Sequence, residues 1–271
     1  LVLQKRGLAV KIFELLGGKP NHPVAAIPGG WSKTLDEAER KQIDEWADEL
    51  IELGQLTLKV FGDVVLNNPE YMKLVTGDMY KVEVNYLGSV DENDKIALYD
   101  GTQKMVDVNG NEIARFTGLE YLDYISERVL PWTYLKMPYQ KKVGWKGVVE
   151  GEGTPLYCVG PLARMNVASG FDLPLADAEF KKFHEAFGNT GKPVHQILAY
   201  HWARAIELLY SAEKIKELIN DPGITSQDAR TPLGDVHGEG VGIIEAPRGT
   251  LIHHYKTDDK GIVGVVVFNF H

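Results

Sequence analysis

"GEGVGIIEAPRGTLIHHYKTDD", residues 238–259, joins two kinds of sequence that rarely sit together. A glycine-rich turn leads into an apolar run of strand character. That run then carries Glu245, Pro247, Arg248, His253 and His254. Pro247 sets the backbone just before Arg248, and Gly249 lets the chain bend just after it. One guanidinium is thereby presented at a defined place. Arginine keeps its charge under all ordinary conditions, so it must be paired or face a polar cavity. The plainer reading is a structural ion pair, with Glu245 as the near partner. The sharper one is a cation held at a functional site.

His253 and His254 are neighbours on the same run. Successive strand residues point to opposite faces, so the two cannot readily chelate one metal. One buried, hydrogen-bonded histidine and one surface histidine are expected. No H-x-x-x-H or C-x-x-C spacing occurs anywhere in the chain. His195 and His201 lie six apart, which is not single-turn helical spacing, and read as packing or surface residues. Cys158 has no charged residue within three positions and reads as a buried, inert thiol. "GEGVG" lacks the lysine and the helix of a phosphate loop, and Ser169 sits in no nucleophile elbow.

The 271 residues are 44% hydrophobic, enough for one large core or two modest ones. A net charge of −9 speaks against nucleic acid or an anionic membrane as a partner. No apolar run reaches the length of a spanning helix. Near the start, Leu8, Val10, Ile12, Phe13, Leu15 and Leu16 alternate with charges up to Gly17-Gly18. That is an amphipathic helix rather than a signal peptide. A single cysteine rules out an internal disulfide, and a cytoplasmic location is expected.

Outward from these landmarks, helices are expected over 4–16, 34–65, 69–76, 119–129, 174–187 and 193–221. Residues 19–31 read as loop. Thr34 and Glu37 make a capping-box signature. Leu35, Ala38, Ile43, Trp46, Ala47, Leu50 and Ile51 form the apolar stripe that follows, which Gly54 should loosen without ending. A small antiparallel patch is expected between 82 and 116, with Asn109-Gly110 as a two-residue hairpin turn. Residues 131–162 read as irregular, and 239–268 as strands separated by the turn signal "TDDKG". The fold class is α+β, helix-dominant, with a long-helix core and small antiparallel sheets.

Four blocks together are similar to the large, catalytic subunit of nickel–iron hydrogenases. They are "ELLGGKPNHPVAAIPGGW", "PWTYLKMPY" followed by "YCVGPLARMNV", "AYHWARAIELLYSAEKI", and "GEGVGIIEAPRGTLIHHYKTDDKGIV". The pattern is closest to the cytoplasmic group that includes methyl-viologen-reducing and NAD-reducing enzymes. The resemblance runs over roughly residues 5–263, and the last block is its most specific part.

The resemblance implies an oxidoreductase that splits dihydrogen heterolytically and reversibly. It implies a nickel–iron centre with carbonyl and cyanide ligands on iron. It also implies an iron–sulfur small subunit that takes the electrons, and further electron-transfer subunits beyond it. By the same resemblance Arg248, with Pro247 beside it, leans over the metal centre as an outer catalytic residue. His22 and Arg164 fall at or near the partner interface, with a structural role as the other option for Arg164.

The family binds its metals through two C-x-x-C pairs, and thiolates are the soft ligands such a centre needs. Cys158 lies in neither place. The whole of 1–271 is therefore expected to be the middle portion of a hydrogenase large subunit, inactive alone, with the β patch inserted at about 82–116. A cysteine-less relative, like the related subunit of respiratory complex I, would instead be a structural, interaction protein. "EAPRGTLIHHY" favours the hydrogenase branch. Elemental analysis of the purified 271-residue polypeptide should find neither nickel nor iron in stoichiometric amount. One nickel per chain would overturn the ligand argument.

Overall fold

The structure, a computed structural model, describes residues 1–235 and 237–270, with side chains up to 264. In chain order the first elements are helix α1 (Val2–Gly17), the short pair β1 (Ala26–Ile27) and β2 (Gly30–Trp31), α2 (Glu37–Phe61) and α3 (Pro69–Thr76). The middle carries β3 (Asn85–Val90), β4 (Thr102–Val106), β5 (Glu112–Phe116), α4 (Tyr121–Tyr124), β6 (Ile125–Val129), β7 (Lys136–Gln140) and β8 (Tyr157–Cys158). Then come α5 (Pro161–Val167), α6 (Pro174–Ala186), α7 (Ala199–Ile219), β9 (Glu239–Ala246), β10 (Gly249–Thr257) and β11 (Val263–Phe270). The mixture is α+β, as composition and periodicity imply. The chain forms two compact units, residues 1–64 with 205–235, and residues 65–204 with 236–271.

The first unit is helical. Ile12 of α1, Ile43, Leu50 and Leu53 of α2, and Ala212 and Ile219 of α7 form its core with Leu35. The apolar stripe of α2 is buried at Ile43, Ala47 and Leu50, whereas Ala38 faces solvent. The capping box sits two residues later than Thr34 and Glu37 suggest. Asp36 accepts from the Glu39 amide at 2.8 Å, and Glu39 accepts from the Asp36 amide at 3.2 Å. Thr34 instead donates its hydroxyl proton to Gln227 at 3.1 Å. Gly54 does not loosen the helix. A Cβ there would lie 2.9 Å from the Leu209 Cα, so the missing side chain is what lets α2 and α7 touch. The α-helix ends at Phe61, and a wider π turn carries the chain through Gly62–Leu66.

The second unit is built around β3. Its sheet has the order β5-β4-β3-β8, antiparallel except where β8 runs parallel to β3. All six β3 residues are buried, because both faces are covered. Tyr86 and Val90 pack with Ala163 and Val167 of α5 on one face. Leu87 packs with Phe116, Tyr121, Ile125 and Ile252 on the other. The expected antiparallel patch is therefore the larger part of this sheet, extended by β8 from the stretch that reads as irregular. Its β4–β5 connection is longer than the Asn109-Gly110 pair suggests. Asp107 accepts from the Asn109 and Asn111 amides at 2.8 and 2.9 Å, holding a loop of residues 107–111.

Two helical expectations fail here. Residues 119–129 are helical only as far as Tyr124, after a 3₁₀ turn at Gly118–Glu120. From Ile125 the chain pairs with β7, Ile125 opposite Gln140 and Val129 opposite Lys136. The partner strand overrides the helical propensity of "SER". Likewise 193–198 precede α7 rather than opening it. The Val82 amide donates to the His195 carbonyl at 3.1 Å, and the Ile197 amide to the Tyr80 carbonyl at 2.8 Å. Pro193 thus starts an extended segment, not a first helical turn. Replacing Ile43, 1% exposed, by alanine should cost about 3 kcal/mol in chemical denaturation, since the cavity cannot fully close. Ala38→Ser should stay within about 0.5 kcal/mol.

Candidate functional site

The hairpin of β9 and β10 closes on Pro247 and Arg248. Ala246 pairs with Gly249 at the neck, so these two residues make the whole turn. Proline suits its first position because the ring sets φ in advance. Along the two strands the faces alternate as the pleat requires. Glu245, Thr250, Ile252 and His254 point into the unit, and Gly242 and Ile244 point out.

Glu245 anchors the hairpin. Its side chain is 0% exposed, and the Arg164 guanidinium from α5, 1% exposed, donates to Oε2 at 2.5 Å. The other carboxylate oxygen accepts from the Ser89 amide at 3.1 Å, the Ser89 hydroxyl at 3.2 Å and the Thr250 hydroxyl at 3.0 Å. The Gln103 side-chain amide extends this network by donating to the Ser89 hydroxyl. A buried charge survives only with such partners. Burial pushes the Glu245 carboxyl up, and the Arg164 guanidinium leads the groups that pull it back. One carboxylate thus ties β3, β9, β10 and α5 together.

The turn beyond Glu245 is held through its carbonyls. Arg164 Nη1 also donates to the Ala246 carbonyl at 3.2 Å. Arg204 Nη1, from the first turns of α7, donates to the Pro247 carbonyl at 2.8 Å. The Arg248 carbonyl rests against Gly160. A Cβ at Gly160 would lie 2.6 Å from that oxygen, and its φ of +89° suits only glycine there. Arg248 itself is exposed, and among the described residues its guanidinium has no ion-pair or hydrogen-bond partner. The expected pair between Arg248 and Glu245 does not form, because Arg164 already occupies that carboxylate. Pro247 is exposed as well.

The remaining sequence candidates are dispersed. Arg164, expected with His22 at or near the partner interface, is interior in this chain, its guanidinium facing Glu245 and not solvent. His22 lies in the first unit, on an exposed loop after α1, with φ 55°. His254 is buried, donating from Nε2 to Glu239 at 2.7 Å with Nδ1 3.1 Å from the Tyr121 hydroxyl. His253, on the opposite face, is half-buried. His195 is buried, donating from Nε2 to the Val108 carbonyl at 3.0 Å, while His201 is exposed. Burial pushes the Cys158 thiol up, against a hydrogen bond with Tyr200. Among the described residues no group of three or more histidine, cysteine, aspartate or glutamate side chains is arranged to hold a metal. These side chains do not fit a nickel–iron centre as ligands. No helix among the described residues is long and apolar enough to cross a membrane.

The family model for nickel-dependent hydrogenase matches residues 71–266. The chain belongs to this family. It is 58% identical over 262 residues to an iron-sulfur subunit of the F420-non-reducing hydrogenase of Archaeoglobus profundus, covering 97% of this chain and 53% of that protein. It is 34% identical over 269 residues to the NAD-reducing hydrogenase HoxS subunit beta of Cupriavidus necator, covering 96% of this chain and 52% of that protein. A solved NAD+-reducing NiFe-hydrogenase in the H2-reduced state superposes with TM-score 0.85 at 30% identity, over 97% of this chain and 55% of that one. This hydrogenase-family chain spans about half the length of the curated relatives it matches.

The turn is visible in the sequence, but what grips it is not. Arg204 and Gly160 leave no local mark in the chain, although Tyr200 and Arg204 have the spacing that places them on one helix face. Glu245→Ala should cost about 3–5 kcal/mol in urea unfolding, because it leaves Arg164 charged and buried. Arg248→Ala should cost under about 0.5 kcal/mol, as for other surface changes. Equal losses would place Arg248 inside the same structural network.

Proposed function

We propose that this chain is the part of a nickel–iron hydrogenase catalytic subunit that presents Arg248 to the reacting site. The reaction is the reversible heterolytic cleavage of dihydrogen. Its electrons pass to an iron–sulfur small subunit, then on to further electron-transfer subunits. One observation carries the reading. The 246–248 turn is held by hydrogen bonds at its first two carbonyls and packs the third against Gly160, while the guanidinium it displays is exposed and unpaired among the described residues. A fold that bonds a turn at two carbonyls, seats the third against a glycine and leaves its cation unused is prepared for a partner outside these residues.

What Arg248 can do follows from its chemistry. It holds its proton too tightly to be an easy base, so its contribution is a fixed positive field and a planar donor fork. Splitting dihydrogen separates charge, and preorganised donors beside developing negative charge lower such barriers. Pro247 keeps the turn from relaxing away from that position. The thiolate ligands of the metals belong, in this reading, to the part of the relatives' length that this chain does not span. Alone, the 271 residues are inactive. His22, exposed beside the end of α1 in the first unit, is assigned to the small-subunit face, and the enzyme to the cytoplasm.

Arg248→Lys keeps the charge and loses the fork. In the intact enzyme it should lower turnover by roughly two orders of magnitude, the scale of losing one preorganised donor. Nickel and iron content should stay unchanged. Wild-type turnover with full metal content would assign Arg248 to structure and sink the reading.

A further inference from the structure

We infer that Arg204 is a positioning residue for Arg248, holding the Pro247-Arg248 turn through the Pro247 carbonyl. This role rests on the catalytic reading of Arg248. Arg204 lies on α7, one helical turn after Tyr200, so the two share a helix face. Both reach the hairpin's surroundings. The Tyr200 hydroxyl donates to the Val159 carbonyl at 2.9 Å. Val159 precedes Gly160, the residue against which the Arg248 carbonyl rests. Arg204 donates to the Pro247 carbonyl at 2.8 Å. A single stretch of α7 therefore fixes both the turn and the wall the turn leans on.

The geometry separates this role from general support. Arg164 serves two ends, since it neutralises Glu245 and touches the Ala246 carbonyl. Its loss would unfold the network before it informed on the turn. Arg204 is exposed, and among the described residues its one side-chain hydrogen bond is to the turn itself. It is unlike Glu245 in that no buried charge depends on it. Removing it frees the turn at its centre while leaving the strands paired, Ala246 with Gly249 and Glu245 with Thr250. A Pro247 carbonyl has no intrastrand partner to fall back on, because it sits between the last paired residues.

The test uses the intact enzyme that carries this chain, with Arg204→Met, Arg204→Lys and Arg248→Lys compared to wild type. Amide hydrogen exchange of a peptide covering 244–252 reads the turn without any need for turnover. In Arg204→Met it should speed about tenfold, the weight of one hydrogen bond. Exchange in β3 and the middle of α7 should not change, nor should the thermal midpoint. Turnover should fall about tenfold with KM for dihydrogen unchanged, because a drifting donor weakens the transition state and not encounter. Arg204→Lys keeps a donor on a long stem and should bring both readings back to within about threefold of wild type.

Unchanged exchange at 244–252 in Arg204→Met would overturn the inference, and so would faster exchange spread equally through β3 and α7. Loosened exchange with wild-type turnover would also overturn it, provided Arg248→Lys is impaired in the same preparation. If Arg248→Lys itself turns over normally, the functional reading of Arg248 falls, and the exchange data alone decide whether Arg204 holds the turn.

Discussion

The buried pair between Arg164 and Glu245 is the constraint on which the second unit depends. Each charge is sealed from water, and each would be intolerable without the other. Satisfying the pair requires α5 on one side of β3, the hairpin of β9 and β10 on the other, and Ser89 between them. Three elements far apart in sequence are thereby forced into one register. An apolar contact of the same size would accept sliding; a carboxylate with a guanidinium and three other donors does not.

That register has a consequence at the hairpin's tip. Once Glu245 is fixed, the next three residues have little freedom, and their carbonyls meet Arg164, Arg204 and Gly160 in succession. The division of labour among arginines is the main lesson of the site. Arg164 supports from within, Arg204 clamps from the helix, and Arg248 alone keeps its guanidinium clear of the described residues. The three are chemically identical, and only their surroundings give them different tasks.

Much of this was legible in the chain because it depends on local rules. The strand alternation that separates His253 from His254 and turns Glu245 inward needs nothing beyond the pleat. Helix α3 follows its Asn68 cap and Pro69 closely, and α6 its opening Pro174. Most of the failures share one cause. Thr34 loses its cap to Asp36, residues 125–129 leave the helix to pair with β7, and 193–198 are drawn into pairing with 80–82. In the two pairing cases, a partner distant in sequence overrode a local preference. Gly54 errs the same way, because its meaning lies in Leu209 and not in its own helix.

By itself, then, the sequence determined the α+β class, the placement of Pro247 and Gly249 around Arg248, and the family, through blocks whose spacing survives in any context. Only the tertiary structure decided which arginine pairs with Glu245. Composition offered Arg248, three residues away, as readily as Arg164, eighty-one residues away. The choice is made by direction. On β9 the pleat aims Glu245 inward, toward the buried end of α5, while Arg248 sits in the turn beyond the last paired residues. Nearness along a chain says nothing about the side to which a side chain points once the strands have paired.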